Sequence, residues 1–302
     1  MRPTLRQLQY IVTVSETGRF GEAAARLHVS QPSLSSQVAD VEASLGVQLI
    51  ERGRSGAILT PQGEEFVRRA RSILRLVEDL KSAVQHQPGR LSGRIRLGVL
   101  PTIGPYLLPD TVLRLHKEFP ELRLGVRDEN TINLERGLSE GRLDTVISTA
   151  QDHPGSAHMP LFKEGMWICV PPDHPLSADP QPLTIGELAG QTLLSLGSGH
   201  RLSIIVQALA DAADAHVSTE YEGTSLDAIR QMAAMGAGIA VLPSLYTVQE
   251  ARRDEGLCLR RIDHALAKRE ISLIWRDTSP RGEAYRVLGA ALADVAGRLL
   301  TE

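Results

Sequence analysis

The residues best suited to chemical recognition lie near the start of a predicted helix, at positions 31–36. Glutamine and serine side chains can hydrogen-bond to the edges of DNA bases or to phosphate oxygens. Ser30 has the character of an N-cap, and a proline in the first turn costs little because its missing N–H needs no partner there. The outer face is nearly uncharged and shows Gln31, Ser33, Ser35, Ser36 and Asp40, which predicts a helix that enters a DNA groove.

The same helix needs an apolar inner face and neighbouring elements to hold it. Spacings of 4, 3 and 4 residues, the period of an amphipathic helix, separate Leu34, Val38, Val41 and Leu45. The segment VQLIERGRSGAILT follows and is typical of a β-hairpin wing, in which Arg52 and Arg54 are available to phosphates. The alternative is an ordinary three-helix core whose polar face has no partner.

A long helix predicted at residues 61–86 carries a second apolar pattern. Thr60 and Pro61 suit its N-cap and first position. Spacings of 4, 3, 4, 3 and 4 residues separate Phe66, Ala70, Ile73, Val77, Leu80 and Val84. A heptad seam of this kind needs a partner helix, so it predicts a dimer that presents two recognition helices to two half-sites. The alternative is that the seam packs against its own subunit.

Beyond a Pro/Gly-containing break at residues 86–93, predicted strands and helices alternate. This alternation indicates an α/β fold with parallel sheet built from βαβ units. Ligands of such sheets bind at the carboxyl ends of the strands, close to helix N-termini. The polar residues predicted at these ends are Thr102, Thr131, Ser198, His200 and Thr224. Their hydroxyl and N–H groups predict a small anionic ligand, although each residue alone could be an N-cap.

Composition narrows the possible classes of function. Residues 1–90 carry 12 Lys+Arg against 9 Asp+Glu, and residues 91–302 carry 21 against 27. A basic head on an acidic body is typical of a protein that touches phosphate at one end. Two cysteines cannot build a disulfide framework, and no apolar run approaches the ~20 residues that cross a bilayer. We therefore expect a cytoplasmic protein with no membrane partner.

Several motifs of enzymes and metal proteins are missing from the sequence. It contains no Walker loop, GxSxG elbow or HExxH, and its histidines lack the spacing of a metal site. We therefore expect no enzymatic activity, no cofactor and no metal site.

The order of the segments HVSQPSLSSQV, LGVQLIERG and LTPQGE, followed by a long linker helix, resembles the LysR-type transcriptional regulators. The resemblance covers the whole chain. It implies a winged helix-turn-helix DNA-binding domain at 1–60, a dimerising linker helix at 61–88, a hinge at 89–93 and an effector-binding domain at 94–302. The last domain is expected to be an α/β fold similar to periplasmic solute-binding proteins, with lobe I at 94–165 and 270–302 and lobe II at 166–269.

The resemblance also implies specific partners. Gln31, Pro32, Ser33, Ser35 and Ser36 are expected to face the major groove of double-stranded operator DNA, and Arg52 and Arg54 its backbone. A homodimer or homotetramer that works with RNA polymerase is expected to respond to a small effector between the lobes.

Within that family, the effector domain resembles the peroxide-sensing OxyR branch. The shared segments are LPTIGPYLLP, LFKE, DHPL, GSGH, GTSLDAIRQM and GAGIAVLP. In that branch a Gly-His-Cys segment opens a helix and the thiolate reacts with peroxide, in a pocket whose positions match Thr102, Thr131 and His200. This chain has Arg201 in place of the reactive cysteine and Ala210 in place of the resolving one.

Arg201 changes the chemistry that the resemblance implies. A guanidinium cannot be oxidised through a thiol–disulfide cycle, so we reject that switch for this chain. A cation at a helix N-terminus is unfavourable without an anion, so Arg201 is expected to bind an anionic effector or to pair with a nearby acid. Two alternatives stay open: an oxidative signal through Cys169 or Cys258, or a cytosolic solute-binding or enzymatic module.

Overall fold

The computed structural model describes residues 3–53, 56–85, 91–223, 225–251 and 256–301. Two compact units make up the chain, Met1–Gln87 with Glu140–Arg142 and Pro88–Ser139 with Leu143–Glu302. Arg54 and Thr224, two of the predicted contact residues, lie outside the described residues.

The first unit combines helices with a small antiparallel hairpin. Its elements are α1 (Leu5–Thr17), α2 (Phe20–Arg26), α3 (Gln31–Leu45), β1 (Ile50–Gly53), β2 (Gly56–Leu59) and α4 (Pro61–Gln85). The Ser30 hydroxyl accepts a hydrogen bond from the Ser33 N–H at 3.3 Å, which confirms the predicted N-cap of α3. Ile11, Leu34 and Val38 are fully buried between the helices.

The apolar seam of α4 is divided between two environments. Phe66 and Ala70 pack into the core of the first unit, where α1 lies against α4. Ile73 is exposed, and Leu80 is 65% exposed. The side chain of Val84 lies outside the described ones. The expectation that the whole seam needs a partner helix is therefore wrong for its first turns, because α1 already covers them.

The second unit is a mixed α/β domain. Its helices are α5 (Gly104–Glu118), α6 (Thr131–Ser139), α7 (Arg201–Ala213), α8 (Leu226–Ala234), α9 (Ser244–Gln249) and α10 (Gly282–Thr301). Its strands are β3 (Gly93–Val99), β4 (Leu122–Asp128), β5 (Thr145–Ser148), β6 (Ser156–Val170), β7 (Thr192–Leu196), β8 (His216–Gly223), β9 (Ile239–Pro243), β10 (Cys258–Arg261) and β11 (Lys268–Arg276).

These strands lie in the order β4-β3-β5-β11-β6-β9-β7-β8, with β10 also paired to β6. The neighbours of β3 and of β7 are parallel to them, as the βαβ pattern predicts. β6 and β11, in contrast, run antiparallel to every strand beside them. The expected parallel sheet is therefore corrected to a mixed one, because these two long strands carry the chain across the sheet instead of closing a βαβ unit.

Two hydrophobic cores define two lobes in the second unit. The core of lobe I gathers residues of β3, β5, α5 and α10, and the core of lobe II gathers residues of β7, β9, α7 and α8. β6 belongs to both, since Leu161 lies in the first core and Met166 in the second. The chain returns from Ala267 in the second core to Ile271 in the first. The lobes therefore share two continuous strands.

Candidate functional site

The polar face of α3 is open to solvent. Its exposed side chains include Gln31, Pro32, Ser33 and Ser36, whereas Ser35 is half-buried. The opposite face buries Leu34, Val38 and Val41. Leu45, expected on that inner face, is exposed because α3 ends there, before Gly46 in the left-handed conformation.

The β1–β2 hairpin is anchored to the turn between α1 and α2. The Ala57 N–H donates a hydrogen bond to the Gly18 carbonyl oxygen at 2.8 Å. A Cβ on Gly56 would lie 2.5 Å from the same oxygen, and Gly56 has a φ of +118°, so only glycine fits this approach. The Arg52 guanidinium lies 4.5 Å from the centroid of the Phe20 ring, which places this charge by a cation–π contact.

Thr102 belongs to a buried ion-pair network where the lobes share their strands. Its hydroxyl accepts a hydrogen bond from Arg269 Nη2 at 3.1 Å. Arg269 Nη2 lies 2.7 Å from Glu164 Oε1, and both side chains are almost completely buried. Glu164 Oε2 accepts a hydrogen bond from the Leu245 N–H at 2.9 Å. β6 and β11 thus hold a pair of opposite charges whose hydrogen bonds are made within the protein.

Arg201 opens α7 in lobe II and contacts three residues of lobe I. Its backbone N–H donates to the Thr131 hydroxyl at 3.0 Å. Its guanidinium donates to Gln151 Oε1 at 2.8 Å and to Asp152 Oδ1 at 3.1 Å. Burial raises the pKa of the Asp152 carboxyl, and the Arg201 charge opposes that shift. Pairing with a nearby acid, one of the two expectations for Arg201, is therefore present in the structure.

Ser198 and His200 precede α7 but do not make these contacts. Ser198 is exposed and lines a cavity of about 500 Å³ in lobe II, together with Ser195 and Ser203. His200 is half-buried, and burial lowers the pKa of its imidazole. Of the predicted polar residues, Thr131 and Arg201 are therefore joined by a hydrogen bond, whereas Ser198 lines a cavity on another side of lobe II.

Sequence reasoning missed the partners of these residues. Gln151 and Asp152 belong to a short 3-10 turn after β5, which has no periodic signal. Glu164 and Arg269 are 105 positions apart, so no local pattern joins them. Thr149 could have been found, because it directly follows β5 as Thr102 and Thr131 follow their strands.

The two cysteines lie on neighbouring strands but face opposite ways. Cys169 on β6 is paired with Leu259, and Cys258 on β10 is paired with Val170. Directly opposed residues share one face of a sheet and successive residues alternate, so the two sulfur atoms point to opposite faces. Cys169 is buried and Cys258 half-buried. A disulfide between them is incompatible with this register.

Among the described residues of the second unit, the other titratable groups do not form a metal centre. His153 is buried, its ring nitrogens have no hydrogen-bond partner among the described residues, and burial lowers its pKa to about 4. Within the described ranges, no group of three or more His, Cys, Asp or Glu side chains could hold a metal ion. No helix in the described part of the chain is long and apolar enough to span a bilayer.

Family models match both units. The model described as bacterial regulatory helix-turn-helix protein, lysR family, matches residues 5–64, and the LysR substrate binding domain matches residues 88–297. The chain belongs to the LysR family. This is a family of transcriptional regulators and not of enzymes, and the N-terminal match excludes a solute-binding module without a DNA-binding domain. The predicted winged helix-turn-helix and α/β effector domain are confirmed.

The LysR regulator is OxyR-like along its length. It is 36% identical over 291 residues to the hydrogen peroxide-inducible genes activator of Dickeya chrysanthemi, covering 96% of this chain and 95% of that protein. It is 36% identical over 289 residues to the transcriptional dual regulator OxyR of Escherichia coli, with coverage of 95% and 94%. Full-length OxyR from Pseudomonas aeruginosa has a TM-score of 0.77 at 32% identity, over 97% of this chain and 98% of that one.

Proposed function

We propose that this regulator binds operator DNA as a homodimer or homotetramer, and that a small anionic effector controls it in place of a thiol–disulfide switch. The effector binds between lobes I and II. The regulator acts in the cytoplasm together with RNA polymerase.

Arg201 is the observation that carries this proposal. Its guanidinium stands where the peroxide-sensing branch is expected to have its reactive thiol, and it joins lobe II to Gln151 and Asp152 of lobe I. An effector that adds to or competes with these hydrogen bonds changes how α7 is attached to lobe I, and so has different affinities for the two arrangements.

The charges along the shared strands favour an anion. Arg201, Arg269 and Lys163 are paired with Asp152, Glu164 and Glu270, respectively. Lys268 and Arg261 line a cavity of about 470 Å³ at these strands and have no carboxylate partner among the described residues. The surface of this cavity therefore carries an excess of positive charge.

We infer that base reading belongs to the exposed face of α3 and phosphate contact to the hairpin. Exposure of Gln31 and Ser36 at the first turns of α3 supports the first role. The stacking of Arg52 on Phe20 supports the second, because it holds a cation on a rigid element. The residues proposed to face the major groove are Gln31, Pro32, Ser33, Ser35 and Ser36. Arg52 and Arg54 are proposed to contact the phosphate backbone of the DNA.

Hydrogen peroxide is expected to leave the operator affinity and promoter output of this regulator unchanged. The relatives are named for induction by hydrogen peroxide, but Arg201 offers no thiolate to attack the O–O bond. Gel shifts and run-off transcription with and without peroxide test this, on the wild type and on Cys169→Ser/Cys258→Ser. A response in the wild type that the double variant loses would assign the signal to a cysteine and defeat the proposal.

Gln31→Ala is expected to reduce the preference for operator over unrelated DNA by roughly tenfold, because one bidentate base contact is worth about 1–3 kcal/mol. Fluorescence anisotropy on both DNAs at fixed salt measures the ratio. Gln9→Ala, an exposed glutamine on α1, is the matched control and should leave the ratio unchanged.

Arg52→Gln is the comparison that separates the reading of bases from the contact with phosphates. It should weaken binding to both DNAs by the same factor and flatten the salt dependence, because a phosphate contact carries no sequence information. If Gln31→Ala also weakened binding to both DNAs by the same factor, Gln31 on α3 would not recognise bases.

A further inference from the structure

Asp40 is an exposed carboxylate on the outer face of α3 that the proposed contacts with DNA do not use. Aspartate is one of the poorer helix formers, and this one lies inside the helix, away from the N-terminus where a carboxylate is favoured. Among the described residues, no cation is paired with it. Close to DNA, the phosphates would repel it. A residue with these disadvantages is expected to have a function.

A series of hydrogen bonds from the start of α1 ends on the Asp40 carboxylate. The Thr4 N–H donates to Gln7 Oε1 at 2.9 Å, and Gln7 Nε2 donates to Gln37 Oε1 at 3.2 Å. Gln37 Nε2 then donates to Asp40 Oδ2 at 3.3 Å. Because a backbone N–H can only donate, the first bond sets the orientation of both amides that follow. The series therefore holds one oxygen of Asp40 and leaves Oδ1 to accept from another molecule.

Asp40 lies on the same face of α3 as two residues proposed to enter the major groove. A spacing of i, i+3, i+4 and i+7 relates Ser33, Ser36, Gln37 and Asp40. The base-contacting residues of one class of recognition helix have this same spacing. Seven positions span about 10 Å along the helix axis. The face that begins at Ser33 therefore extends to Asp40, one turn beyond the last residue proposed above.

A carboxylate at this position is complementary to one base. It can only accept hydrogen bonds, and cytosine presents a donor, its N4 amino group, in the major groove. Adenine also presents an amino group, but the N7 acceptor beside it would repel the second carboxylate oxygen. Guanine and thymine present acceptors without a donor. Opposite Asp40, cytosine is therefore favoured and the other three bases are disfavoured.

We propose that Asp40 recognises a cytosine in each operator half-site. Its Oδ1 accepts a hydrogen bond from the N4 amino group of the base while Gln37 holds Oδ2, so Gln37 is a positioning residue. This inference rests on the proposed function, since it extends the base-recognising face of α3 by one turn and names the base that the added turn selects.

Selection of binding sites from a pool of randomised DNA duplexes tests the proposal on the full-length protein. The wild type should select a cytosine at one position of the half-site, and Asp40→Asn should select adenine there. An asparagine amide accepts from adenine N6 and donates to N7, which explains the change. Asp40→Ala should lose the preference at that position alone. Identical selected sequences from all three proteins would overturn the proposal.

Fluorescence anisotropy measures the size of the preference on two duplexes, the selected one and one in which adenine replaces this cytosine. The wild type should prefer cytosine at least fivefold, Asp40→Asn should prefer adenine, and Asp40→Ala neither. Glu64→Gln removes an exposed carboxylate of α4 and should keep the wild-type preference. If both Asp40 variants instead bound the two duplexes more tightly by the same factor, Asp40 would only repel phosphates and the proposal would be wrong.

Gln37→Met tests the positioning role on the same duplexes. Methionine keeps an unbranched side chain but cannot donate a hydrogen bond to Asp40. The preference for cytosine should fall at least twofold, and the preference at the other selected positions should stay. An unchanged preference for cytosine, or an equal loss at every position, would reject the positioning role of Gln37.

The selection separates this inference from the proposed function. If the wild type selects a defined operator and Gln31→Ala weakens that selection while the Asp40 variants leave it unchanged, only the role of Asp40 is rejected. If the wild type selects no sequence, the proposed function fails as well.

Discussion

Ile73→Asp combined with Leu80→Asp is expected to convert the regulator into a monomer and to lower its affinity for a two-half-site operator by about 100-fold or more. Both side chains are exposed on α4, and Leu76 continues the same stripe. A dimer presents two recognition helices at once. Losing the dimer therefore removes the gain in affinity that linked binding sites provide, which is about 10²–10⁴-fold. Aspartates on this stripe would have to be buried without partners for a dimer to form.

Light scattering and operator titrations over a range of protein concentrations measure this effect. Arg68→Asp adds a negative charge at an exposed position of the same helix away from the stripe and is the control, expected to stay dimeric. Far-ultraviolet circular dichroism checks whether both variants keep their helices. A variant that stays dimeric with full operator affinity would show that the exposed stripe of α4 is not the pairing surface.

Glu164→Gln is expected to lower the free energy of unfolding of the second unit by about 3–5 kcal/mol, because it leaves Arg269 buried without its counter-charge. The same change weakens the hydrogen bond that the Leu245 N–H donates to the side chain. Urea unfolding of the full-length protein, followed by the fluorescence of Trp167 and Trp275, measures the loss.

The neighbouring pair on the same two strands is the matched control. Lys163 pairs with Glu270 at 3.3 Å, but the Lys163 side chain is 80% exposed. Lys163→Gln should therefore leave the unfolding transition nearly unchanged. The double variant Glu164→Gln/Arg269→Met should recover part of the loss, since no lone charge is buried. Equal effects of Glu164→Gln and Lys163→Gln would mean that burial does not set the strength of the pair.

Local signals in the sequence were enough to place α3 and its exposed face. The Ser30 cap and the spacing of Leu34, Val38 and Val41 depend on residues within a few turns of one another. The seam of α4 shows the limit of such reasoning. A heptad pattern indicates that a face will be covered but not by which helix, and α1 of the same subunit covers its first turns.

The effector region was less accessible to sequence reasoning because its contacts join distant parts of the chain. The position of Thr102 and Thr131 after strands identified them, and both make hydrogen bonds across the site. The partner of Arg201 could not be predicted, because Asp152 lies 49 positions away in a turn without a pattern. The rule for strand ends also selected Ser198, which faces another cavity, since chain order does not fix the direction of a side chain.

The register of β6 and β11 makes these strands intolerant of changes in length. Arg269 is opposite Glu164 and Glu270 is opposite Lys163, so buried and exposed charges alternate along both strands. Deleting Lys268, with Ala267 kept in place, would invert the facing of the following side chains and bring Glu270 opposite Glu164 in the interior. Two carboxylates would then oppose each other without a cation. Homologous chains that fold in this way should therefore vary in length at their turns and keep the spacing of these two strands constant.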